Sequence, residues 1–543
     1  VARVFCDQAR VAKRAFFLAF ISTSLSVSAV SANPNSIDFA MQYLADLRDS
    51  PECAVTVDGE GRFDFGPEIS NPSMSCPDAF AWKIFTEAVR GEFWSRWTTD
   101  VQMWPTAPWP VCEPGQTENC CSTVEVSNNP DPEHCPVRPD PALGMPAHTP
   151  HEPSKAHQVS MEDAAKTDRD GDGSIDWDDV PPELKTAVIG AEQVELVYHN
   201  RPMTDYIFAN GLYHTDGLGR VFQTRAGVME HYAPYNGVAG TGPLSQIDLP
   251  IRSLMLKANL LDIRKAKELG IDLEKNADYI TLDLPKGGNT PETGTYILLS
   301  FHISSKDLPN WFWTTFEHVD NQGRCDWIGC NDSFGYVARV SEGPTARDDL
   351  PEPADNYVSP NQLEMADGAV VAFDLARTYD ADSEMRDGLA AVFRTLGIGT
   401  GAANESGTPR PADPAWRNYR LKGSQTNFVT PTGRPTQLGN SVTEAGFTNS
   451  SSCISCHARA SVTEKGLPNL SIFVSDLSDA GLPKSTNGVP APSWFTTSAY
   501  YGVGDQVLAP GLVAVQTDFV WGFRNACPIE VGAQGPHRCA KKD

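Results

Sequence analysis

The chain has 543 residues, 40% of them hydrophobic, with 69 Asp and Glu against 43 Lys and Arg and a formal net charge of −26. That apolar content is enough for true cores. The acidic excess disfavours nucleic acid and anionic lipid as partners and favours basic proteins or divalent cations; plain solubility explains it equally well.

The chain opens with Arg3, Arg10, Lys13 and Arg14, then the apolar run Ala15-Phe16-Phe17-Leu18-Ala19-Phe20-Ile21, then small residues up to Val30-Ser31-Ala32. A basic start, a short apolar stretch and a small-residue site predict a signal peptide over residues 1–32, cleaved before Asn33. The run is too short and too interrupted by serines for an anchor, and no later stretch is long and apolar enough to span a bilayer. The mature chain is therefore expected to be periplasmic or secreted, without stable membrane insertion. About 510 mature residues suggest two to four domains.

Residues 33–185 read as a helical, disulfide-rich N-terminal region. Ile37 to Leu44 and Ala79 to Phe85 repeat apolar residues at three and four positions, whereas Trp104 to Glu152 is rich in Pro and Cys and reads as a stapled loop region. Asp168-Arg169-Asp170-Gly171-Asp172-Gly173-Ser174-Ile175-Asp176-Trp177-Asp178-Asp179 has calcium-loop spacing. Oxygen donors fall at Asp168, Asp170, Asp172, Ser174, Asp176 and Asp179, with Gly173 at the sharp turn and Ile175 packing inward. Asp in place of Glu at the last position shortens the reach of that ligand. A structural calcium site fits better than a sensor, because Pro181-Pro182 limits the exiting helix.

Of 13 cysteines, one lies in the leader and two in a C-terminal motif. The others, Cys53, Cys76, Cys112, Cys120, Cys121, Cys135, Cys325, Cys330, Cys527 and Cys539, are even in number and read as disulfides. Proximity pairs Cys53 with Cys76, Cys325 with Cys330 and Cys527 with Cys539, leaving the pairing between Cys112 and Cys135 open.

Residues 186–342 read as a strand-rich middle domain. Ser253 to Ala258, Tyr279 to Leu284, Thr295 to Ile303 and Trp311 to Val319 are apolar runs of strand length. Residues 343–414, rich in Pro, Gly and Asp, read as linker and loops. Residues 415–543 carry the strongest motif, Cys453-Ile454-Ser455-Cys456-His457. Two thiols two residues apart on the first turn of a helix can add across the vinyl groups of haem, and the next residue brings an imidazole under the iron. One covalent haem c is predicted, with His457 as proximal ligand and Ser450, Ser451 and Ser452 as N-cap residues.

The distal ligand stays open. The last methionine, Met385, precedes the motif, and downstream the only other histidine is His537. His302 and His318, on predicted strands, are the upstream candidates; alternation puts His302 with Tyr296 and Leu298, and His318 with Phe312 and Phe316. An open or water-bound position is the alternative.

Ala81-Trp82-Lys83-Ile84-Phe85, Leu249-Pro250-Ile251, Leu256-Lys257-Ala258, Phe301 to Lys306, Trp311 to Asn321, Leu438-Gly439-Asn440-Ser441 and Asp518-Phe519-Val520-Trp521 together resemble a family of exported bacterial monohaem proteins, usually labelled cytochrome c family. The resemblance covers most of the mature chain and implies haem and export without a reaction; residues 168–179 would be an insertion of this branch. The expected fold is α+β, a strand-rich middle domain carrying a mostly helical, cytochrome-c-like C-terminal domain. The expected function is one-electron transfer with a redox partner protein, a basic one by charge. The alternatives are a haem enzyme of peroxidase or oxygenase type with an open sixth position, and a calcium-stabilised subunit of a larger redox complex.

Overall fold

The apolar runs of the middle of the chain assemble one antiparallel sheet. Its strands are β1 (Thr98–Thr99), β2 (Val194–His199), β3 (Leu254–Asp262), β4 (Thr281–Pro285), β5 (Thr293–Ser305), β6 (Phe312–His318) and β7 (Tyr419–Gln425). The order is β7-β6-β5-β3-β2-β1, with β4 pairing the first half of β5. The structure, a computed structural model, describes residues 49–540 except 51, 123–132, 140–162, 169–174, 178, 231–242, 286–292, 341–355, 361, 365–369, 373–376, 405–406, 432, 434, 471–487, 498–501, 504–505, 508–510, 534 and 537. The expected leader and His537 lie outside the described residues.

Strand alternation sends successive side chains to opposite faces. One face carries Leu196, Tyr198, Leu256, Ala258, Phe301, Ile303, Phe316 and Leu421 and is covered by helix α1 (Pro77–Arg90). Trp82 meets Phe316 with centroids 5.0 Å apart and Phe85 meets Phe301 at 5.6 Å; burying each such ring is worth about 2–3 kcal/mol. α1 begins at Pro77, whose missing N–H costs nothing there. The Asp49 carboxylate accepts from the amides of Asp78 at 2.7 Å and Ala79 at 3.1 Å.

The other face is different. Apolar at Met255 and Trp313, it is polar between them and β4, where Glu195, Lys257, Asn259, Ser300, His302, Thr315 and Glu317 follow one another across the strands. A bulge decides which face His302 joins. The register of β3 against β5 shifts between Asn259 and Leu260, so Ser300 and Leu298, not Ser300 and Leu299, bracket the change. Tyr296 and Leu298 pack in the α1 core, and His302 points the opposite way. Plain alternation fails because an extra residue reverses the facing.

The mixed α+β class holds, but the C-terminal region is not mostly helical. Among the described residues of 415–543, helix is confined to the five-residue Cys453–His457 and short 3₁₀ turns such as Trp521–Asn525. Pro431, Pro435, Pro468, Pro490, Pro492 and Pro510 interrupt this stretch, and proline both blocks helix interiors and removes a donor. The region expected as strands also holds helices α2 (Arg201–Ala209) and α3 (Thr215–Glu230). The described residues form one compact unit, and the sheet crosses the sequence boundary at 414, since β7 lies along β6.

Among the described residues, Cys53–Cys76, Cys325–Cys330 and Cys527–Cys539 are bridged as expected, and the cluster resolves into Cys112–Cys120 and Cys121–Cys135. No helix among them is long and apolar enough to cross a membrane.

The start of α1 is tied to the loop 331–336 by three carboxylates. Asp78 accepts from Asn331 Nδ2 at 3.1 Å and the Ser333 amide at 2.6 Å, while Asp332 accepts from Trp82 Nε1 at 3.1 Å. Burial pushes Asp49 up to about 7 and Asp332 up to about 6, and it raises Asp78 well above its ordinary value, with Asp49 adding repulsion. The native state thus keeps protons that an unfolded chain, with carboxyls near 4, has released. Stability contributed by these groups is full below that value and is lost as pH rises through the folded values. Asp78→Asn keeps an acceptor and removes the charge. Its stability relative to the parent, from urea unfolding, is expected to improve between about pH 5 and about pH 8; an equal difference at both pH values would contradict the assignment.

Candidate functional site

A five-residue helix cannot stand alone in water, so helix α4 (Cys453–His457) is held by what surrounds it. Ser452 caps it, accepting from the Ser455 amide. Gln425, at the end of β7, accepts the Ile454 N–H at 2.9 Å and donates to Ser452 Oγ at 2.9 Å and to Thr436 Oγ1 at 2.7 Å. The Trp313 ring of β6 lies against His457, with centroids 4.4 Å apart. The helix therefore rests on the partly polar face of the sheet.

Ile454 and Ser455 are buried, whereas Cys456 is exposed and Cys453 and His457 are half-buried. Cys453 and Cys456 are the free thiols among the described residues. His457 Nδ1 lies 2.8 Å from the Phe519 carbonyl. A carbonyl only accepts, so Nδ1 carries the proton and Nε2 keeps its lone pair. Burial, then the Lys257 ammonium, pushes His457 down to about 3, and the ring is neutral at neutral pH.

That carbonyl comes from a left-handed pair, with φ of 47° at Asp518 and 66° at Phe519, each costing about 1–3 kcal/mol. The Asp518 carboxylate accepts from Lys306 Nζ at 2.5 Å, the Leu249 amide at 2.7 Å and Trp311 Nε1 at 3.2 Å. Burial raises this carboxyl, and Lys306 opposes the rise. The same segment reaches the helix again through Trp521 Nε1, which donates to the Cys456 carbonyl at 3.2 Å, and Gln516 Nε2, which donates to the Ala458 carbonyl at 2.8 Å.

On the other side the strap 438–444 spans from the helix to the polar face. Leu438 bridges to Ser452, and its carbonyl takes the Cys453 thiol at 3.4 Å. Asn440 Nδ2 donates to Thr315 Oγ1 at 3.1 Å and lies 3.2 Å from His302 Nε2; its Oδ1 accepts the amides of Val442 and Thr443 at 2.9 and 2.6 Å. The Ser441 amide donates to Glu317 at 3.1 Å, and Thr443 Oγ1 donates to Asn259 at 2.7 Å. Glu444 Oε1 lies 3.3 Å from His302 Nε2. Burial works against the Glu444 charge, but His302 and Lys257 overcome it and hold the carboxyl below its ordinary value.

His302 is cross-strand partner of Lys257, whose ammonium lies 3.2 Å from Glu195. Burial penalises that ammonium, yet Glu195 and Glu444 raise it above its usual range. The motif thus faces the Lys257–Glu195 ion pair and, beside it, the His302–Glu444 contact.

His302 reaches this site and His318 does not. His318 sits on the opposite face of the sheet, fully buried, stacked on Tyr279 at 3.6 Å, with Nε2 3.1 Å from the Asp278 carbonyl. It is a core histidine, pushed down to about 3 by burial. Of the loop 168–179, Asp170, Asp172 and Ser174 lie outside the described residues. Asp168 follows the 3₁₀ turn Ala165–Thr167, the Asp179 amide donates to the Asp176 carbonyl at 2.9 Å, and Ile175 and Trp177 pack on a core with Val188 and Leu269. Among the described residues no group of three His, Cys, Asp or Glu side chains gathers at metal-binding distance.

Lys257, Asn440, Glu444, Gln425, Lys306 and Asp518 do not emerge from the sequence reading as site residues. Lys257 alone carries a signal, a charged residue inside an apolar run between Leu256 and Ala258; the others stand in no such run and carry none. No family model, curated protein or solved structure matches the chain.

Asn440 is fully buried and joins helix, strap and sheet. Asn440→Ala strands the strap amides and Thr315, and unsatisfied buried groups cost about 1–3 kcal/mol each. Urea unfolding is expected to show a loss of about 3 kcal/mol; a loss within experimental noise would mean that the strap is not held this way.

Proposed function

We propose that Cys453 and Cys456 carry one covalent haem c with His457 as its proximal ligand, and that the protein is an exported monohaem c-type cytochrome engaged in one-electron transfer. The observation that carries this reading is the hydrogen bond from His457 Nδ1 to the Phe519 carbonyl. It leaves Nε2 as the free nitrogen, beside the two free thiols of the described residues. A fixed tautomer set by a backbone acceptor is what a ligating histidine requires. The haem would supply reversible one-electron exchange at iron. The resemblance to exported bacterial monohaem proteins belongs to the same proposal, with cytochrome-c likeness limited to the motif and its immediate supports. Five disulfides among the described residues suit an oxidising compartment.

His302 is the distal ligand in this reading, since it shares the sheet face on which the motif rests. A second reading is favoured by one observation, the His302–Glu444 pair. An imidazole backed by a carboxylate is suited to acid–base work beside an open iron position, as a peroxidase- or oxygenase-type enzyme needs. The loop 168–179 is proposed to bind calcium, tying the packed Ile175 and Trp177 to their core.

Expression with a periplasmic haem-attachment system decides the first point. The purified chain is expected to keep its haem on a denaturing gel and to give a haem c pyridine spectrum, with Cys453→Ser and Cys456→Ser losing or weakening attachment; an unmodified mature mass would sink the reading. EPR with and without carbon monoxide separates the two functions. A low-spin parent that turns high-spin in His302→Ala supports transfer, whereas a high-spin parent that binds carbon monoxide promptly supports the enzyme. For calcium, scanning calorimetry is expected to show a higher Tm with the ion than with EDTA, the difference vanishing in Asp168→Ala.

A further inference from the structure

Aspartate tolerates the left-handed region better than most residues, but phenylalanine does not. Two such residues in succession, Asp518 at 47° and Phe519 at 66°, persist only where neighbours over-determine them. The neighbours here come from three places in the chain. Leu249 precedes β3, Lys306 follows β5, and Trp311, itself left-handed at 60°, leads into β6. All three place a donor on one carboxylate. Lys306 is 8% exposed and Asp518 6% exposed, so the charge pair is sheltered from solvent and screened little by salt.

The peptide plane that follows Phe519 is set by this conformation, and its carbonyl is the acceptor of the His457 Nδ1 proton. We propose that Asp518 is a positioning residue for His457, its carboxylate locking the left-handed turn that aims the Phe519 carbonyl at the imidazole. The consequence for the imidazole stands on the geometry alone; the consequence for iron rests on the haem reading above. A well-aligned acceptor on the Nδ1 proton makes Nε2 a stronger donor and favours the more positive, ferric state. Without the clamp the backbone relaxes to negative φ, the carbonyl turns away and both tautomers become accessible.

The test uses the full chain carrying Asp518→Ala, Asp518→Asn and, as a control in the opposite core, Phe393→Leu. Long-range 15N spectra of the haem-free protein report the His457 tautomer, and redox titration of the haem-loaded protein reports the potential. The parent is expected to hold the Nδ1–H tautomer alone and Asp518→Ala a mixture of the two. At a fixed applied potential the ferrous-to-ferric ratio of Asp518→Ala is expected to rise about tenfold. Asp518→Asn retains an acceptor oxygen and is expected to lie between, and Phe393→Leu is expected to match the parent. A folded Asp518→Ala with parental tautomer and potential overturns the proposal, as does an equal shift in Phe393→Leu. If the alanine variant fails to fold, a parental result in Asp518→Asn overturns it. A parent that never carries haem removes the haem reading, and the tautomer comparison still decides this one.

Discussion

A polar stripe buried on a sheet cannot be left dry and unpaired. Each unsatisfied buried group costs about 1–3 kcal/mol, and here Asn259, His302, Thr315 and Glu317 lie across three adjacent strands beneath the chain that follows β7. The strap 438–444 supplies the missing partners, and nothing apolar could take its place. At Gly439 the strap also passes close to the chain before the helix, where a Cβ would sit 2.0 Å from Ser451 Oγ and force that serine to shift. The strap is positioned by the stripe, and the Cys453–His457 helix is positioned by the strap. The location of the motif is thus set by the polar pattern of strands that are more than a hundred residues upstream.

The helix is gripped from two sides by different physics. On the strap side the grip is a dense set of neutral and charge-assisted hydrogen bonds. On the other side it is a strained turn, stabilised by the Lys306–Asp518 pair. The fully buried Glu317–Lys422 pair, at 3.4 Å, belongs to the first grip through Ser441. Buried pairs of this kind are weak evidence for stability; their effect is to fix one arrangement, because removing either partner strands a charge.

The four strands built on long apolar runs, from Leu254 to His318, were legible because both their length and their β-branched and aromatic content exceed what loops carry. β7 was not. Its sequence Tyr-Arg-Leu-Lys-Gly-Ser-Gln holds no apolar run, yet every residue in it is buried, with Lys422 facing Glu317, Gln425 bonded to Ser452 and Arg420 stacked over Tyr336. The Cys-x-x-Cys-His motif, its serine cap and three disulfide pairings were readable from spacing. The choice between His302 and His318 was not, because it turns on a bulge near Leu298 that alternation cannot see. Lys257, His302, Trp313, Asn440 and Asp518 nonetheless converge here from segments far apart in the chain.

His302 has little freedom to move. Asn440, which touches its Nε2, has its own Oδ1 committed to two strap amides, and Glu444 accepts from the Asn440 amide at 2.6 Å. Nε2 faces an amide donor and a carboxylate acceptor at once, while Nδ1 is buried without a hydrogen-bond partner. Nε2 thus meets a donor and an acceptor within one fixed frame. For one-electron exchange such a frame is favourable: fixed dipoles and pre-formed ion pairs need little rearrangement when a nearby charge changes by one. For acid–base work the same frame supplies the carboxylate partner. Under the proposed haem reading the frame admits both chemistries, and what would separate them is whether the imidazole gives a lone pair to iron or a proton to a substrate.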